Sequence, residues 1–193
     1  RELDPEKSTG YDAGIEQAIP GAPASLELTY FHNLFEDLID FDSAAQRYKN
    51  VGEARSDGWE AALSATPWPA LSLRASFTLT RTEDRETGND LLRRPKHKAG
   101  LDANWKVSDT FGIRLDIRHT GARDDEYYDT STWSSRRVRL DPYTLVNIAW
   151  WYEPDRKTRF WVRIDNLLDE DYEEIWGYQT PGIGVSAGVG VTL

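Results

Sequence analysis

The sequence predicts an all-β protein: the C-terminal portion, about nine antiparallel strands, of a large up-and-down transmembrane β-barrel. Three observations carry this. Apolar and polar residues alternate with a period of two in segment after segment, the signature of strands with one apolar face. The links between these segments are by turns short and long, as in a barrel with tight turns on one rim and loops on the other. The last twelve residues, 182–193, form one unbroken alternation. Ile183, Val185, Ala187, Val189, Val191 and Leu193 lie on one face, and Gly182, Gly184, Ser186, Gly188, Gly190 and Thr192 on the other. A soluble sheet would leave that strand as an apolar edge open to aggregation. A closed barrel in lipid requires such a strand.

In chain order, 11–17 is a short, weak strand candidate. Leu26, Leu28 and Tyr30 alternate with Ser25, Glu27 and Thr29. Trp59, Ala61, Leu63 and Ala65 mark a strand over 58–66, and Leu71, Leu73, Ala75, Phe77 and Leu79 one over 71–80. Ala99, Leu101, Ala103 and Trp105 define 99–106; Phe111, Ile113, Leu115 and Ile117 define 111–118. Val146, Ile148, Trp150 and Tyr152 define 146–152, and Phe160, Val162 and Ile164 define 159–165, before the closing strand. The short links are 19–23, 67–70, 107–110 and 153–157; the long polar ones are 33–50, 81–97, 119–142 and 166–181. No stretch carries a helical i, i+3, i+4, i+7 stripe with caps. Trp68, Trp105, Phe111, Trp150, Trp151, Tyr152, Phe160 and Trp161 cluster beside the short links, where an interfacial aromatic girdle belongs. The opposite face carries Glu27, Glu60, Arg74, Asp102, Arg114, Asp116, Arg118, Arg159, Arg163 and Asp165, a wet lumen or a wall against a polar plug.

Composition is compatible with this. The 193 residues are enough for one domain with a sizeable core. Mean hydropathy is −0.65, and no run approaches the roughly 18 apolar residues of a membrane helix. A β-barrel escapes that test because only alternate residues meet lipid. The net charge of −10 disfavours nucleic acid as a partner. Without cysteine there are no disulfides or thiolate metal sites. The chain contains no methionine. Its odd strand count and two open edges indicate a piece of a larger barrel.

Specific segments resemble a known family. Leu3-Asp4-Pro5-Glu6-Lys7-Ser8-Thr9-Gly10-Tyr11-Asp12-Ala13-Gly14 resembles the L-x-P-E-x-S-x-x-Y-E-x-G segment of TonB-dependent outer-membrane receptors. Asn50 to Glu60 is similar to their N-x-G-x-A-x-x-x-G-x-E segment, and Asp165-Asn166-Leu167-Leu168-Asp169-Glu170-Asp171-Tyr172 to their V-x-N-L-F-D-x-x-Y motif, with Leu168 in place of Phe. The family usually ends in an aromatic residue, where this chain has Leu193. The resemblance implies a 22-stranded barrel in the outer membrane of a Gram-negative bacterium, taking up a scarce nutrient with TonB energy. Residues 1–193 would then be its C-terminal segment, without the plug domain, the TonB box or the first barrel strands. Leu91 to Lys98 and Tyr172 to Thr180 look most like the cobalamin receptor branch. Ferric-siderophore and haem receptors of the same family are the alternative. Expected partners are cobalamin or an iron chelate, outer-membrane lipid, and TonB through the part outside this chain. The resemblance implies no cofactor.

Such receptors hold ligands on the long loops. The basic run Arg93, Arg94, Lys96, His97, Lys98 would suit an anionic ligand group or lipopolysaccharide phosphates; a solvated loop-to-strand boundary is the plainer reading. Tyr127, Tyr128 and Trp133 would suit stacking on a flat macrocycle, against simple packing between loops. Asp124, Asp125, Glu126 and Asp129, and Asp169 to Glu174, offer oxygen ligands without the spacing of a calcium loop. His32, His97 and His119 form no metal motif. There is no nucleophile elbow or phosphate loop. Asp116 and His119 are the nearest approach to an enzyme dyad, so the expectation is a protein that is not an enzyme.

Overall fold

The computed structural model describes residues 3–42 and 47–192. It contains strands β1 (Lys7–Ala18), β2 (Ala24–Glu36), β3 (Leu38–Asp42), β4 (Arg47–Val51), β5 (Ala54–Trp68), β6 (Leu71–Asp84), β7 (His97–Lys106), β8 (Phe111–Thr120), β9 (Arg123–Asp129), β10 (Ser134–Leu140), β11 (Tyr143–Tyr152), β12 (Thr158–Asp165) and β13 (Gly184–Val191). Nine of them form one open antiparallel meander, in the order β1-β2-β5-β6-β7-β8-β11-β12-β13. The nine expected strands are these nine. The weak candidate at 11–17 is the core of a full twelve-residue strand, and Leu193 lies outside the described residues.

Two long links are not plain loops. The stretch 33–50 holds the end of β2 and the β3–β4 hairpin, and 119–142 holds the β9–β10 hairpin. Their apolar alternation is short, two residues each in β3 (Ile39, Phe41) and β10 (Val138, Leu140). Asp124 and Asp129 of β9 pair with Arg137 and Arg136 of β10, at 2.9 and 3.0 Å.

Register turns the alternation of each strand into two continuous surfaces. Leu28 pairs with Ala61, Ala61 with Phe77, and Phe77 with Ala99. Ala103 pairs with Leu115, Leu115 with Ile148, Ile148 with Ile164, and Ile164 with Val185. This apolar surface is uncovered: Ile15, Phe77, Phe160 and Val185 are 62, 47, 48 and 70 % exposed. The sizeable core that the length allows is absent among the described residues. Among the described residues the buried hydrophobic ones are Ala54, Leu140 and Tyr143. A sheet that displays its aliphatic side chains and keeps its charges on the other face is built for lipid outside and water inside.

The short-link rim of the apolar face carries Trp105, Phe111, Trp150, Tyr152 and Phe160 in register. Trp151 and Trp161 do not belong to that girdle. They pair with each other on the opposite face, pressed over Gly112 and Gly188, where a Cβ would collide with the indoles. The other rim has a girdle of its own: Tyr11 stacks on His32 at 5.1 Å, and Tyr30 lies 5.1 Å from Trp59. Trp105 and Trp59 are opposite Leu71 and Leu79 of β6. Eight residues at about 3.3 Å each, tilted by roughly 40°, separate them by about 20 Å in height, near the apolar band of an outer-membrane barrel.

Candidate functional site: the lumen wall and the long-loop rim

The inward face is an ionic ladder. Asp102 and Asp116 sit directly opposite each other on β7 and β8, which unaided would repel. Arg118 resolves this by binding both oxygens of Asp102 at 3.0 Å and Asp116 at 2.6 Å. Asn147 donates to Asp116 at 3.0 Å, Arg74 grips Glu27 at 3.2 Å, and Arg163 meets Asp165 at 2.6 Å. Near the short turns, the Arg159 guanidinium lies 5.7 Å from the Trp151 ring. The dyad suggested by sequence is taken apart. Asp116 faces inward, whereas His119 is paired with Ala99 and Thr144 on the outer face and bonds Thr144 Oγ1 at 2.9 Å. His119 stacks instead on His97 at 5.5 Å.

At the long-loop rim, one carboxylate organises three segments. Asp125 on β9 is fully buried. It accepts the Arg93 Nε at 2.7 Å from the 85–96 loop and the Trp176 backbone N–H at 2.8 Å from the 166–183 loop. Burial alone would raise its pKa. The backbone N–H groups of Trp176 and Glu126, with the Arg93 guanidinium, outweigh that and hold it below the usual carboxylate range. Around this clasp Tyr127 stacks on Trp176 at 5.8 Å, Arg123 donates to Glu173 O at 2.6 Å, and Tyr143 packs on Tyr172 with its hydroxyl 3.1 Å from Glu174.

The basic run is therefore not one patch. Arg93, at φ +58°, turns down onto Asp125, and Lys96 pairs with Asp90 at 2.7 Å. Arg94 is exposed and makes no ion pair with another described residue. Tyr127 is half-buried against Trp176, whereas Tyr128 and Trp133 are 54 and 77 % exposed on the β9–β10 hairpin and its turn. Tyr178, which sequence reasoning did not single out, is 71 % exposed on the last loop. Asp124, Asp125 and Asp129 of the acidic run are each held by an arginine.

The motif segments act as staples. Asn166, buried and at φ +50°, donates to Glu170 O at 2.9 Å and accepts the Glu170 N–H at 2.8 Å. Its own N–H goes to Asn147 Oδ1 at 2.9 Å. Asp169 accepts the Ile183 N–H at 2.8 Å and so ties the last loop to the entry of β13. Asn50 donates to Asp37 O at 2.7 Å and Asp4 O at 2.8 Å, and receives the Asp4 N–H at 2.9 Å.

A two-faced meander with girdles at both rims, an ionic inner wall and clasped loops on one side is the wall of an outer-membrane β-barrel. The chain belongs to the TonB dependent receptor-like β-barrel family, whose model matches residues 1–167. It is a protein of the Gram-negative outer membrane. Its fold is similar to that of the pyoverdine outer membrane receptor FpvA from Pseudomonas aeruginosa PAO1, at 19 % identity and TM-score 0.83 over 99 % of this chain and 30 % of that one. The siderophore receptor PirA from Acinetobacter baumannii matches at 18 % identity and TM-score 0.80, over 98 % and 32 %. The ferric yersiniabactin uptake receptor FyuA from Yersinia pestis matches at 21 % identity and TM-score 0.72, over 95 % and 28 %. The chain thus spans about a third or less of the length of these neighbours. The cobalamin branch suggested by 91–98 and 172–180 finds no support among them.

Proposed function

We infer that this chain is the C-terminal wall of a receptor that takes up a ferric siderophore, with TonB supplying energy through the part of the protein outside residues 1–193. The observation that carries this is the match of the whole wall, loops included, to receptors named for siderophores. The rim chemistry supports it. Tyr128, Trp133 and Tyr178 offer exposed aromatic faces, and Arg94 an exposed cation, groups suited to an oxygen-rich anionic chelate with aromatic or apolar edges. Arg93, Lys96 and Tyr127 complete the candidate set by holding the loops that present these groups. Transport, not catalysis, is the activity expected of such a wall.

The test is binding to the full-length receptor in detergent. Ferric pyoverdine, a ferric catecholate, haem and cyanocobalamin are titrated in parallel. Saturable binding of a ferric siderophore, and iron-limited growth that depends on the gene, is the expected result. Binding of cyanocobalamin alone would return the cobalamin reading.

A further inference from the structure

One place on the inner wall sets two arginines on either side of an alanine. Arg114 is directly opposite Ala149, and Ala149 directly opposite Arg163. The two arginines therefore stand at the same height on the same face, with one strand between them, their Cα atoms about 10 Å apart. What separates them is a methyl group. Beyond Arg163 the next residue at this height is Ser186. At Ala149 the wall holds a recess of about 390 Å³ lined by Arg114, Asp116, Asn147, Ile148, Ala149 and Arg163.

The neighbouring acids do not fill it. Asp102 is taken on both oxygens by Arg118 and makes only a long ion pair with Arg114, at 3.6 Å. Asp116 is held by Arg118 and Asn147. Asp165 binds the Nε and Nη2 of Arg163 through one oxygen, at 2.7 and 2.6 Å, which leaves the Nη1 edge of that guanidinium free. Both arginine side chains are more than half exposed, at 56 and 57 %. Each arm is long enough to reach the space above Ala149, and the guanidinium fork matches a carboxylate in a paired, planar geometry that an ammonium does not offer.

We propose that Arg114 and Arg163 form a two-armed carboxylate site on the lumen wall, in the half nearer the short turns. The carboxylate comes from one of two sources: a passing iron chelate, or a side chain of the lumen-filling part of the same protein. The first source rests on the uptake reading above; the second does not.

The test uses the full-length receptor with Arg114→Gln and Arg163→Gln, singly and together. The Arg→Lys pair serves as partial rescue. Arg74→Gln is the control, because it breaks an ion pair of the same wall away from the recess. Uptake of ferric citrate and of a ferric trihydroxamate without free carboxylates is followed in iron-limited cells, and the thermal transition of the detergent-solubilised receptor is measured. A fall in ferric citrate uptake of about tenfold, the scale of one charge-assisted hydrogen bond, with trihydroxamate uptake unchanged, assigns the carboxylate to the cargo. A transition lowered beyond that of Arg74→Gln, with both chelates affected alike, assigns it to the protein. Changes no larger than those of Arg74→Gln in both measurements overturn the site. The uptake reading fails only if no ferric siderophore binds in the titration above, and the thermal comparison decides the site in either case.

Discussion

Arg93 and Asp125 lie 32 residues apart and meet at 2.7 Å, the cation half in water and the carboxylate wholly out of it. Because Trp176 N–H binds the other Asp125 oxygen, this pair joins the 85–96 loop, the β9–β10 hairpin and the last loop. Asp125→Ala leaves the Trp176 N–H and Arg93 without their acceptor. Arg93 can return to water, so the expected cost is about 1–3 kcal/mol of local stability. Hydrogen exchange should rise in 85–96 and 166–183 and stay unchanged in β5–β8. Uniform exchange would refute the clasp.

The same carboxylate gives a pH dependence. Its folded pKa is depressed below the ordinary value near 4. Its contribution is therefore complete above the ordinary value and is lost as pH falls through the folded one. Protease sensitivity of the long loops should stay low from neutral pH down to about 4 and rise below that. Asp125→Asn should make the loops sensitive at neutral pH and remove most of the acid step.

Asn166 is a turn residue and a staple at once. Asn166→Gly keeps the left-handed backbone and loses the side-chain bonds to Glu170, whereas Asn166→Ala also adds strain of about 1 kcal/mol at positive φ. Thermal transitions of the receptor should fall in the order wild type, Gly, Ala. Equal transitions for the two variants would mean the backbone relaxes out of this conformation.

Trp151 lies flat on Gly112. Gly112→Ala places a methyl where the indole is, which should cost about 1–3 kcal/mol as overpacking. Adding Trp151→Ala to that variant should recover part of the loss. If the double variant is worse than the sum of the two singles, the indole does not rest on this glycine.

The two faces can be separated with one residue each from β7. Ala103 is in the apolar surface opposite Leu115, and Asn104 is in the inner wall opposite Arg114. Ala103→Arg, between the Trp105 girdle and the bilayer midplane, should cost about 1–3 kcal/mol and reduce the folded, heat-modifiable band on cold gels. Asn104→Arg should leave that band nearly unchanged.

The nine strands were legible because lipid enforces alternation residue by residue, as in Leu71 to Leu79. The β9–β10 hairpin was not, because Asp124, Asp129, Arg136 and Arg137 hold it with charge, and charge carries no two-residue signal. Trp151 and Trp161 were misplaced by weighing nearness to a turn above parity; an odd number of residues from Trp150 or Phe160 puts them inside. The basic run looks like one patch in sequence for a related reason. Adjacent residues in sequence diverge when one of them, Arg93, takes a positive φ and finds a partner 32 positions away. The Arg114–Ala149–Arg163 row was beyond sequence altogether, since it exists only once three strands are in register.

The uncovered aliphatic face has one more consequence. With three buried hydrophobic residues among those described, water offers this chain almost no reward for adopting its native shape. The driving force arises only when Leu28, Phe77, Leu115 and their row-mates leave water for hydrocarbon. Acquiring the fold and entering the membrane are therefore one event, and before it these aliphatic rows have no native partner to pack against.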